Sequence, residues 1–270
     1  MTALTHHRRG SGPPLLLIHG IGSHWQVWHP LLPLLEPHRD VIAVDLPGFG
    51  TSPIWPAPPP GVRPGSVPHL ADLVASFLDS LGLGTVEIAG SSMGGGVALE
   101  LGHRGRARVV TAFSPAGFWP PGGARWGRFV VGAARAGSAA LDPLLPRLMS
   151  SRAGRAALCA PFYAHPAGLD TEECVAAARA LAGAPGFGAA RAAFRHLTPW
   201  SGRDPGALTR IPVTIAWGTR DAVLPYRNQA VRARAALPAA RHVRLPGCGH
   251  LPFPDAPERC ADLILRPAPR

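Results

Sequence analysis

Short, continuous runs of apolar residues recur along the chain and predict the strands of a buried sheet. Runs of this kind, rich in Val, Ile and Leu, are typical of parallel strands that are covered on both faces. The runs are residues 14–19 (PLLLIH), 41–45 (VIAVD), 85–90 (TVEIAG), 109–113 (VVTAF), 211–217 (IPVTIAW) and 242–245 (HVRL).

Between these runs, apolar residues recur three or four positions apart, which is the spacing of one face of an α-helix. The segments with this spacing are 24–35, 68–81, 94–103 and 258–265. Ser66 precedes the second of them and is a candidate N-cap. Strands that alternate with helices indicate an α/β fold with a mostly parallel, doubly wound sheet.

Residues 117–203 interrupt this alternation. The stretch is rich in Ala and Arg, has helical patterning and contains no convincing strand. We interpret it as an inserted helical segment between the first part of the core, residues 1–116, and the second part, residues 204–270. The arginines of the insertion do not by themselves indicate an acidic substrate.

The charge of the chain is strongly positive but is not concentrated in any one segment. The formal net charge is +11, and all 27 basic residues are Arg. These residues are scattered, with no consecutive run longer than Arg8 and Arg9. A nucleic-acid-binding surface usually shows clustered cations, so we expect no nucleic-acid partner. The 46% of hydrophobic residues in 270 can build a substantial core.

The 4 cysteines show no C-x-x-C spacing, which argues against a zinc site or a redox dithiol. We expect free, mostly buried thiols and no metal or organic cofactor. Residues 1–14 lack the apolar core of a secretory signal, and residues 129–149 contain charges and prolines that exclude a spanning helix. The expectation is a cytoplasmic protein without a membrane span; its oligomeric state is not indicated.

A candidate nucleophile lies in EIAGSSMGGG, residues 87–96. The pattern G-x-S-x-G fits one frame only, from Gly90 to Gly94, with Ser92 at its centre. A serine between glycines is commonly just a turn. Here a predicted strand precedes it and a predicted helix follows it, which is the context that the nucleophile pattern requires.

Candidates for the base and the acid follow two later strands. Asp221 comes shortly after residues 211–217, and His250 comes shortly after residues 242–245. An acyl-transfer serine needs a base and a group that orients the base. Asp221 could instead cap the helix that follows the strand. Asp45 and Asp204 are weaker candidates for the acid, because neither follows the strand predicted at residues 211–217.

The segments LLLIHGIGS, DLPGFGTS, GSSMGG, WGTRDAVLP and GCGHLPFPDAPE occur in this order from residue 15 onward. With them the chain resembles the α/β-hydrolase-fold serine hydrolases, esterase-like and lipase-like enzymes with a helical cap. The resemblance implies that Ser92 is the nucleophile, His250 the general base and then acid, and Asp221 the residue that orients His250. It also implies an oxyanion hole formed by the backbone N–H groups of Met93 and Ile21.

The resemblance has further implications for the sheet edge and the pocket. Relatives usually begin with two antiparallel strands, whereas residues 3–9 can supply at most one. His19 and His24 lie near the turn of the oxyanion hole and could contact substrate, but a histidine in such a position more often fixes the loop, which is the interpretation that we prefer. The aromatic residues that could line an acyl pocket, or could equally belong to the core, are Trp25, Phe113, Phe118, Trp119 and Trp200.

The function expected from the resemblance is hydrolysis of a small or medium carboxylic ester or thioester, a small-molecule substrate, through an acyl-serine intermediate. Alternatives on the same residues are a carbon-carbon bond hydrolase, an enol-lactone hydrolase and a cofactor-free haloperoxidase. The carbon-carbon enzymes typically have Asn where this chain has Ser91. Epoxide hydrolases and haloalkane dehalogenases are disfavoured, because they use Asp in place of Ser92. A low-turnover ligand-binding protein of the same fold is a further alternative.

Overall fold

The computed structural model describes residues 3–120, 123–197, 200 and 202–267. Its centre is a 7-stranded sheet with the order β1-β3-β2-β4-β5-β6-β7. The strands are β1 His6–Gly10, β2 Pro14–Ile18, β3 Asp40–Val44, β4 Val86–Ser91, β5 Ala107–Phe113, β6 Val213–Gly218 and β7 Arg241–Leu245. The strands predicted from the apolar runs are therefore confirmed.

All neighbouring strands of the sheet run parallel except the pair at one edge. There β1 lies antiparallel to β3, with His6 opposite Val44 and Gly10 opposite Asp40. The strand order reverses at β2, which lies between β3 and β4. In doubly wound sheets, ligands bind outside the carboxyl ends of the strands at such a reversal.

The helices cover both faces of the sheet. They are α1 Leu32–Leu35, α2 Val67–Ser80, α3 Met93–His103, α4 Ala124–Ala140, α5 Leu145–Ser150, α6 Arg152–Cys159, α7 Thr171–Gly183, α8 Phe187–Ala193, α9 Tyr226–Ala236 and α10 Pro257–Leu265. Helix α2 begins after Ser66, whose side chain accepts the N–H of His69, as predicted.

One helix prediction was wrong in its extent. Residues 24–35 form a short 3-10 helix, Trp25–Trp28, and the separate α1, rather than one continuous helix. Pro30 lies between the two. Proline has no backbone N–H to donate and clashes with the preceding turn, so the helix is broken at this point.

Alternate residues of β2 enter two separate cores. Leu16 and Ile18 pack into the core beneath α2 and α3. Leu15 and Leu17 pack into the core on the other face, which includes residues of α10. Because both faces are covered, nearly every position of the strand is buried, which explains why its sequence is continuously apolar.

Helices α4 to α8 follow β5, and the described residues between β5 and β6 contain no strand. Helices α5 to α7 share a small core of their own, formed by Leu145, Met149, Cys159 and Cys174. The helical insertion is thus present, while its division from the core at residues 117 and 203 stays a prediction. The cysteines are all free and buried, as expected. In the part of the chain that the structure describes, no helix is long and apolar enough to cross a membrane.

Candidate active site

Ser92 lies in the turn between β4 and α3. Its backbone has φ 54° and ψ −116°, a conformation that non-glycine residues adopt only rarely. Backbone hydrogen bonds hold it there: Ser92 donates to Phe113 at 2.9 Å, and its carbonyl accepts from Gly96 at 3.1 Å and from Ala116 at 2.9 Å. The strained turn is therefore fixed by its neighbours.

The glycines on either side of Ser92 allow backbone to touch backbone. A Cβ atom on Gly90 would lie 2.2 Å from the carbonyl oxygen of Gly94. A Cβ atom on Gly94 would lie 2.2 Å from the carbonyl oxygen of Ile18 and 2.3 Å from that of His19. Any side chain would push α3 away from β4 and β2, so the sharp turn requires glycine at both positions.

We expect Gly94→Ala to destabilise the protein by about 3 kcal/mol, because the added methyl group meets two rigid carbonyl oxygens. The loss is measured as a lower urea midpoint with an unchanged m value. Gly137→Ala in α4 is the matched control. A Cβ atom there meets nothing within 4 Å, so it should stabilise the helix by about 0.5–1 kcal/mol. Equal midpoints for Gly94→Ala and the wild type would contradict the close contact.

Asp221 and His250 form a buried hydrogen-bonded pair. His250 Nδ1 lies 2.8 Å from Asp221 Oδ2, and the side chains are 4% and 0% exposed, respectively. The other oxygen, Asp221 Oδ1, accepts the backbone N–H groups of Val223 at 2.9 Å and Leu224 at 2.7 Å. The carboxylate thus stabilises its own turn and also holds His250. It does not cap the following helix, which the alternative interpretation required, because α9 begins at Tyr226 without a side-chain cap.

This contact sets the tautomer of His250. An ionised carboxylate can only accept hydrogen bonds, so Nδ1 of the ring carries the proton. Nε2 is left with a free lone pair, which can take a proton from a hydroxyl group. Ser92, Asp221 and His250 follow β4, β6 and β7, and therefore stand at the same carboxyl edge of the sheet.

Asp255 holds the loop of His250 in place. Its Oδ2 accepts the backbone N–H of Gly249 at 2.9 Å and that of Ala164 at 3.2 Å. Its Oδ1 accepts the N–H of His165 at 3.2 Å. These bonds tie the loop to the helical insertion. The sequence analysis did not single out this residue, although a lone acid just after the histidine was a usable signal.

The two candidate oxyanion donors lie beside Ser92. A Cβ atom on Gly20 would lie 3.0 Å from Ser92 Cβ, so the turn that carries Ile21 passes directly against the serine. Met93 is the first residue of α3, where N–H groups have no partner within the helix. Among the described residues, neither Met93 nor Ile21 has an acceptor for its backbone N–H.

His19 fixes the peptide that carries the Ile21 N–H. Its Nε2 accepts the backbone N–H of Leu46 at 2.9 Å, so Nδ1 carries the proton and donates to the carbonyl of Gly20 at 2.7 Å. The peptide is planar and trans, so its N–H points opposite to its C=O. Burial lowers the pKa of His19 to about 4, which keeps the ring neutral at physiological pH.

The lowered pKa of His19 predicts a loss of stability in acid. An unfolded histidine has a pKa of about 6.5, so the unfolded chain binds the proton more readily. The contribution of His19 to the free energy of unfolding is fully present above about pH 6.5. It is lost as the pH falls to about 4, and the loss amounts to about 3 kcal/mol in all. Burial lowers the pKa of His69 and His242 as well, and these residues act in the same direction.

The contribution of His19 is isolated by comparing urea unfolding of the wild type and His19→Gln at pH 7 and pH 4.5. We expect the variant to lose less stability between the two pH values. Parallel stability profiles would contradict the buried neutral histidine.

Two other candidates from the sequence have structural contacts in the same loops. The ring of His24 pairs with the side chain of Gln26. Asp45, the weaker candidate for the acid, accepts the backbone N–H groups of Trp25 at 2.7 Å and Thr51 at 2.9 Å. The loops that contain His19 and His24 are therefore held by local hydrogen bonds, as the preferred interpretation of these two histidines expected.

A narrow cavity opens over Ser92. It offers about 20 Å³ to the centre of a water molecule, which is room for roughly one water. Helix α4 contributes Arg128 and Val131 to its walls, and Ile21 lies beside the serine.

The aromatic candidates occupy different places. Trp119 lines the cavity and packs against Phe194 with ring centroids 5.7 Å apart. Phe113 lies in the core on the other face of the sheet, against Trp28 and Phe253. The structure therefore brings the side chain of Trp119 to the cavity over Ser92. The backbone carbonyl of Phe113 accepts the N–H of Ser92, but the side chain of Phe113 lies in the opposite core.

The remaining aromatic candidates pack among themselves or near the surface. Phe118 and Trp200 stack with centroids 6.5 Å apart, and Phe118 also contacts Trp217. Trp25 stacks on His7 at 4.9 Å. Among the cavity residues that the sequence analysis missed, Arg128, Val131 and Phe194 belong to the insertion and carry no motif.

Comparison with known proteins gives consistent matches over most of the chain. Residues 15–263 match a model described as the alpha/beta hydrolase family. An uncharacterised protein of Mycobacterium tuberculosis is 30% identical over 95% of this chain and 75% of its own length. The epoxide hydrolase EphH of the same organism is 32% identical over 72% of this chain and 91% of its own length. A thermophilic esterase structure from Thermogutta terrifontis has a TM-score of 0.73 and 25% identity, and covers 97% of this chain and 91% of its own.

Proposed function

This chain belongs to the alpha/beta hydrolase family and is a hydrolase, and from this premise we propose that it cleaves a small or medium carboxylic ester or thioester through an acyl intermediate on Ser92. The observation that carries the proposal is the buried pair of Asp221 and His250, 2.8 Å apart. It stands at the edge of the sheet where Ser92 is held in a strained turn.

In the first half of the reaction, Ser92 Oγ attacks the carbonyl carbon while His250 Nε2 takes the hydroxyl proton. Asp221 stabilises the imidazolium that forms. The N–H groups of Met93 and Ile21 receive the negative charge of the carbonyl oxygen, and each donor of this kind contributes about 3 kcal/mol to the transition state. The bond to the leaving group then breaks, and His250 passes its proton to that group.

In the second half, water attacks the acyl-Ser92 ester. His250 Nε2 takes a proton from the water, the same N–H groups receive the oxyanion, and His250 returns the proton to Ser92 Oγ as the acid is released. Every proton transfer uses Nε2, because Asp221 keeps the other ring nitrogen protonated. His19 keeps the Ile21 N–H in position through both halves.

Epoxide hydrolysis is the second candidate, because EphH is named for that activity and is 32% identical. The chemistry of Ser92 disfavours it. A carboxylate nucleophile opens an epoxide to form an ester, which water can cleave. A serine would instead form an ether, which the pair of Asp221 and His250 provides no means to cleave. Turnover of styrene oxide by this protein would contradict that reasoning.

The alternatives on the same residues differ in the bond that is broken. Carbon-carbon hydrolysis, enol-lactone hydrolysis and perhydrolysis would all use Ser92, His250 and the oxyanion donors. Ser91, in place of the asparagine of the carbon-carbon enzymes, favours ester chemistry. A panel of esters, thioesters, enol-lactones and vinylogous diketones, assayed with one enzyme preparation in the absence and presence of hydrogen peroxide, separates these reactions.

The first test is labelling with a small fluorophosphonate, followed by intact-mass analysis and peptide mapping. The probe reacts with an activated serine and not with an ordinary hydroxyl group. We expect one adduct, located on Ser92, and turnover of at least one ester or thioester. A folded protein that takes up no probe and turns over no ester would contradict the proposal and would favour the ligand-binding alternative.

A further inference from the structure

The helical insertion places one arginine, Arg128, at the cavity over Ser92, and three further arginines lie near that residue. We call this group the arginine cluster; it consists of Arg125, Arg128, Arg191 and Arg195. Arg128 lines the cavity together with Ser92. Burial lowers the pKa of Arg128, and so do the three nearby cations, Arg195, Arg191 and Arg125. The cluster is therefore a concentration of positive charge beside the candidate nucleophile.

Arg128 and Arg191 hold each other in fixed positions. Arg128 Nε donates to the carbonyl oxygen of Arg191 at 3.0 Å, and Arg191 Nε donates to that of Arg128 at 2.8 Å. The guanidinium group of Arg191 lies across α4, because a Cβ atom on Gly132 would meet its Nη2 at 2.8 Å. These bonds use the Nε groups of both arginines and restrict the movement of the two side chains.

The arginine cluster has no acidic partner. Among the ion pairs of the described residues, none involves a member of the cluster. Some arginines elsewhere are paired with acids; Glu100, for example, binds both Arg104, at 2.7 Å, and Arg203, at 2.8 Å. Gathering like charges costs free energy unless an anion offsets them.

We propose that the substrate carries a carboxylate or phosphate group remote from the scissile bond, and that the arginine cluster binds this group. The inference rests on the proposed function of Ser92, since it assigns the substrate class of the same cavity. Guanidinium groups match the paired oxygens of carboxylates and phosphates. Because Arg128 and Arg191 are already held in place, little side-chain entropy is lost on binding.

The test compares matched esters that differ only in the remote group. For an anion in the acyl part, the pair is p-nitrophenyl hydrogen adipate and p-nitrophenyl hexanoate. For an anion in the alcohol part, it is 6-acetoxyhexanoate and hexyl acetate. We expect one pair to show a kcat/KM at least about tenfold higher for the anionic member, and the ratio to fall as salt screens the charges. Ratios near one for both pairs would overturn the proposal.

Variants locate the effect. Arg128→Gln and Arg191→Gln should each bring the anionic-to-neutral ratio toward one, and Arg128→Lys should restore part of it. The matched control is Arg152→Gln in α6, an exposed arginine of the same insertion, which should keep the wild-type ratio. If Arg128→Gln fails to fold, Arg125→Gln/Arg195→Gln changes only exposed members of the cluster and should lower the ratio. An unchanged ratio in the cluster variants would also overturn the proposal.

Binding to Ser92→Ala provides a readout that does not depend on turnover. In calorimetry, the Ser92→Ala variant should bind adipate monoesters at least about tenfold more tightly than neutral hexanoate esters. Adding Arg128→Gln to this variant should remove the difference. A difference in binding without any probe labelling of the wild type would mean that the proposed hydrolysis fails while the anion site stands. Equal binding of the anionic and neutral esters, with probe labelling of the wild type intact, would mean that the anion site fails while the proposed hydrolysis stands.

The headgroups of an anionic membrane are the other source of anions to test. Trp126 and Phe129 of α4 are 53% and 61% exposed, and exposed aromatic side chains of this kind can contact a membrane surface. We favour a soluble substrate, because Arg128 faces the cavity of Ser92. Phosphatidylglycerol vesicles that raise turnover of the neutral ester, with equal rates for each soluble pair, would place the anion in lipid and overturn the proposal.

Discussion

Replacement of Ser92 by alanine is expected to lower kcat by about four to six orders of magnitude while the fold is kept. The side-chain oxygen is the only non-hydrogen atom removed. The turn is held by backbone hydrogen bonds of residue 92 to Phe113 and Ala116, which alanine retains. The loss is measured with a p-nitrophenyl ester, and the thermal midpoint shows whether the variant is folded.

Ser91→Ala is the control for this variant. Ser91 is the last residue of β4, is buried, and its Oγ has no hydrogen-bond partner among the described residues. Its removal should leave kcat within a small factor of the wild type and should leave fluorophosphonate labelling on Ser92. Turnover near the wild type in Ser92→Ala, or a collapse of activity in Ser91→Ala, would refute the assignment of the nucleophile.

The sheet could be predicted from the sequence because its physical cause is local. The inner strands are buried on both faces, so a continuous apolar run identifies them, as β2 shows with Leu15 in one core and Leu16 in the other. The edge strand β7 is less buried, and its run in the sequence is correspondingly shorter and more polar. The helix over residues 24–35 was overextended, because apolar spacing alone gives no weight to Pro30. The helix breaks because Pro30 has no backbone N–H to donate, and a hydrophobic pattern contains no information about backbone donors.

The candidate site is only partly accessible to the same reasoning. Ser92, Asp221 and His250 could be selected because each follows a strand, and the fold brings strand ends to one edge. The packing of α4 on α8 cannot be derived in this way, since these helices lack a distinctive motif. The arginine cluster therefore emerges only from the fold, although its members are visible in the sequence as scattered charges.

The aromatic residues illustrate the same limit. Trp119 and Phe113 are separated by only a few residues, yet one lines the cavity and the other lies on the opposite side of the sheet. Hydrophobic character shows that a side chain will be buried, but not in which of two cores. The direction of the chain after β5, which turns toward the insertion, decides the difference.

Asp221→Asn is expected to lower kcat by about four orders of magnitude without unfolding the protein. The backbone N–H groups of Val223 and Leu224 both donate to Asp221 Oδ1, so an asparagine would place its carbonyl oxygen there. Its NH₂ group would then face His250 Nδ1 as a donor. The ring must accept at Nδ1 and carry its proton on Nε2, where it can no longer take the proton of Ser92.

Asp204→Asn is the matched control, since Asp204 was one of the weaker candidates for the acid and its side chain accepts the backbone N–H of Gly206 in an exposed loop. It should keep kcat close to the wild type. Asp221→Asn should also keep its thermal midpoint within a few degrees, because asparagine preserves the two backbone bonds. A variant that stays folded and active would show that the tautomer of His250 is set by another group. Loss of activity with loss of folding would instead assign Asp221 mainly to the turn that it caps.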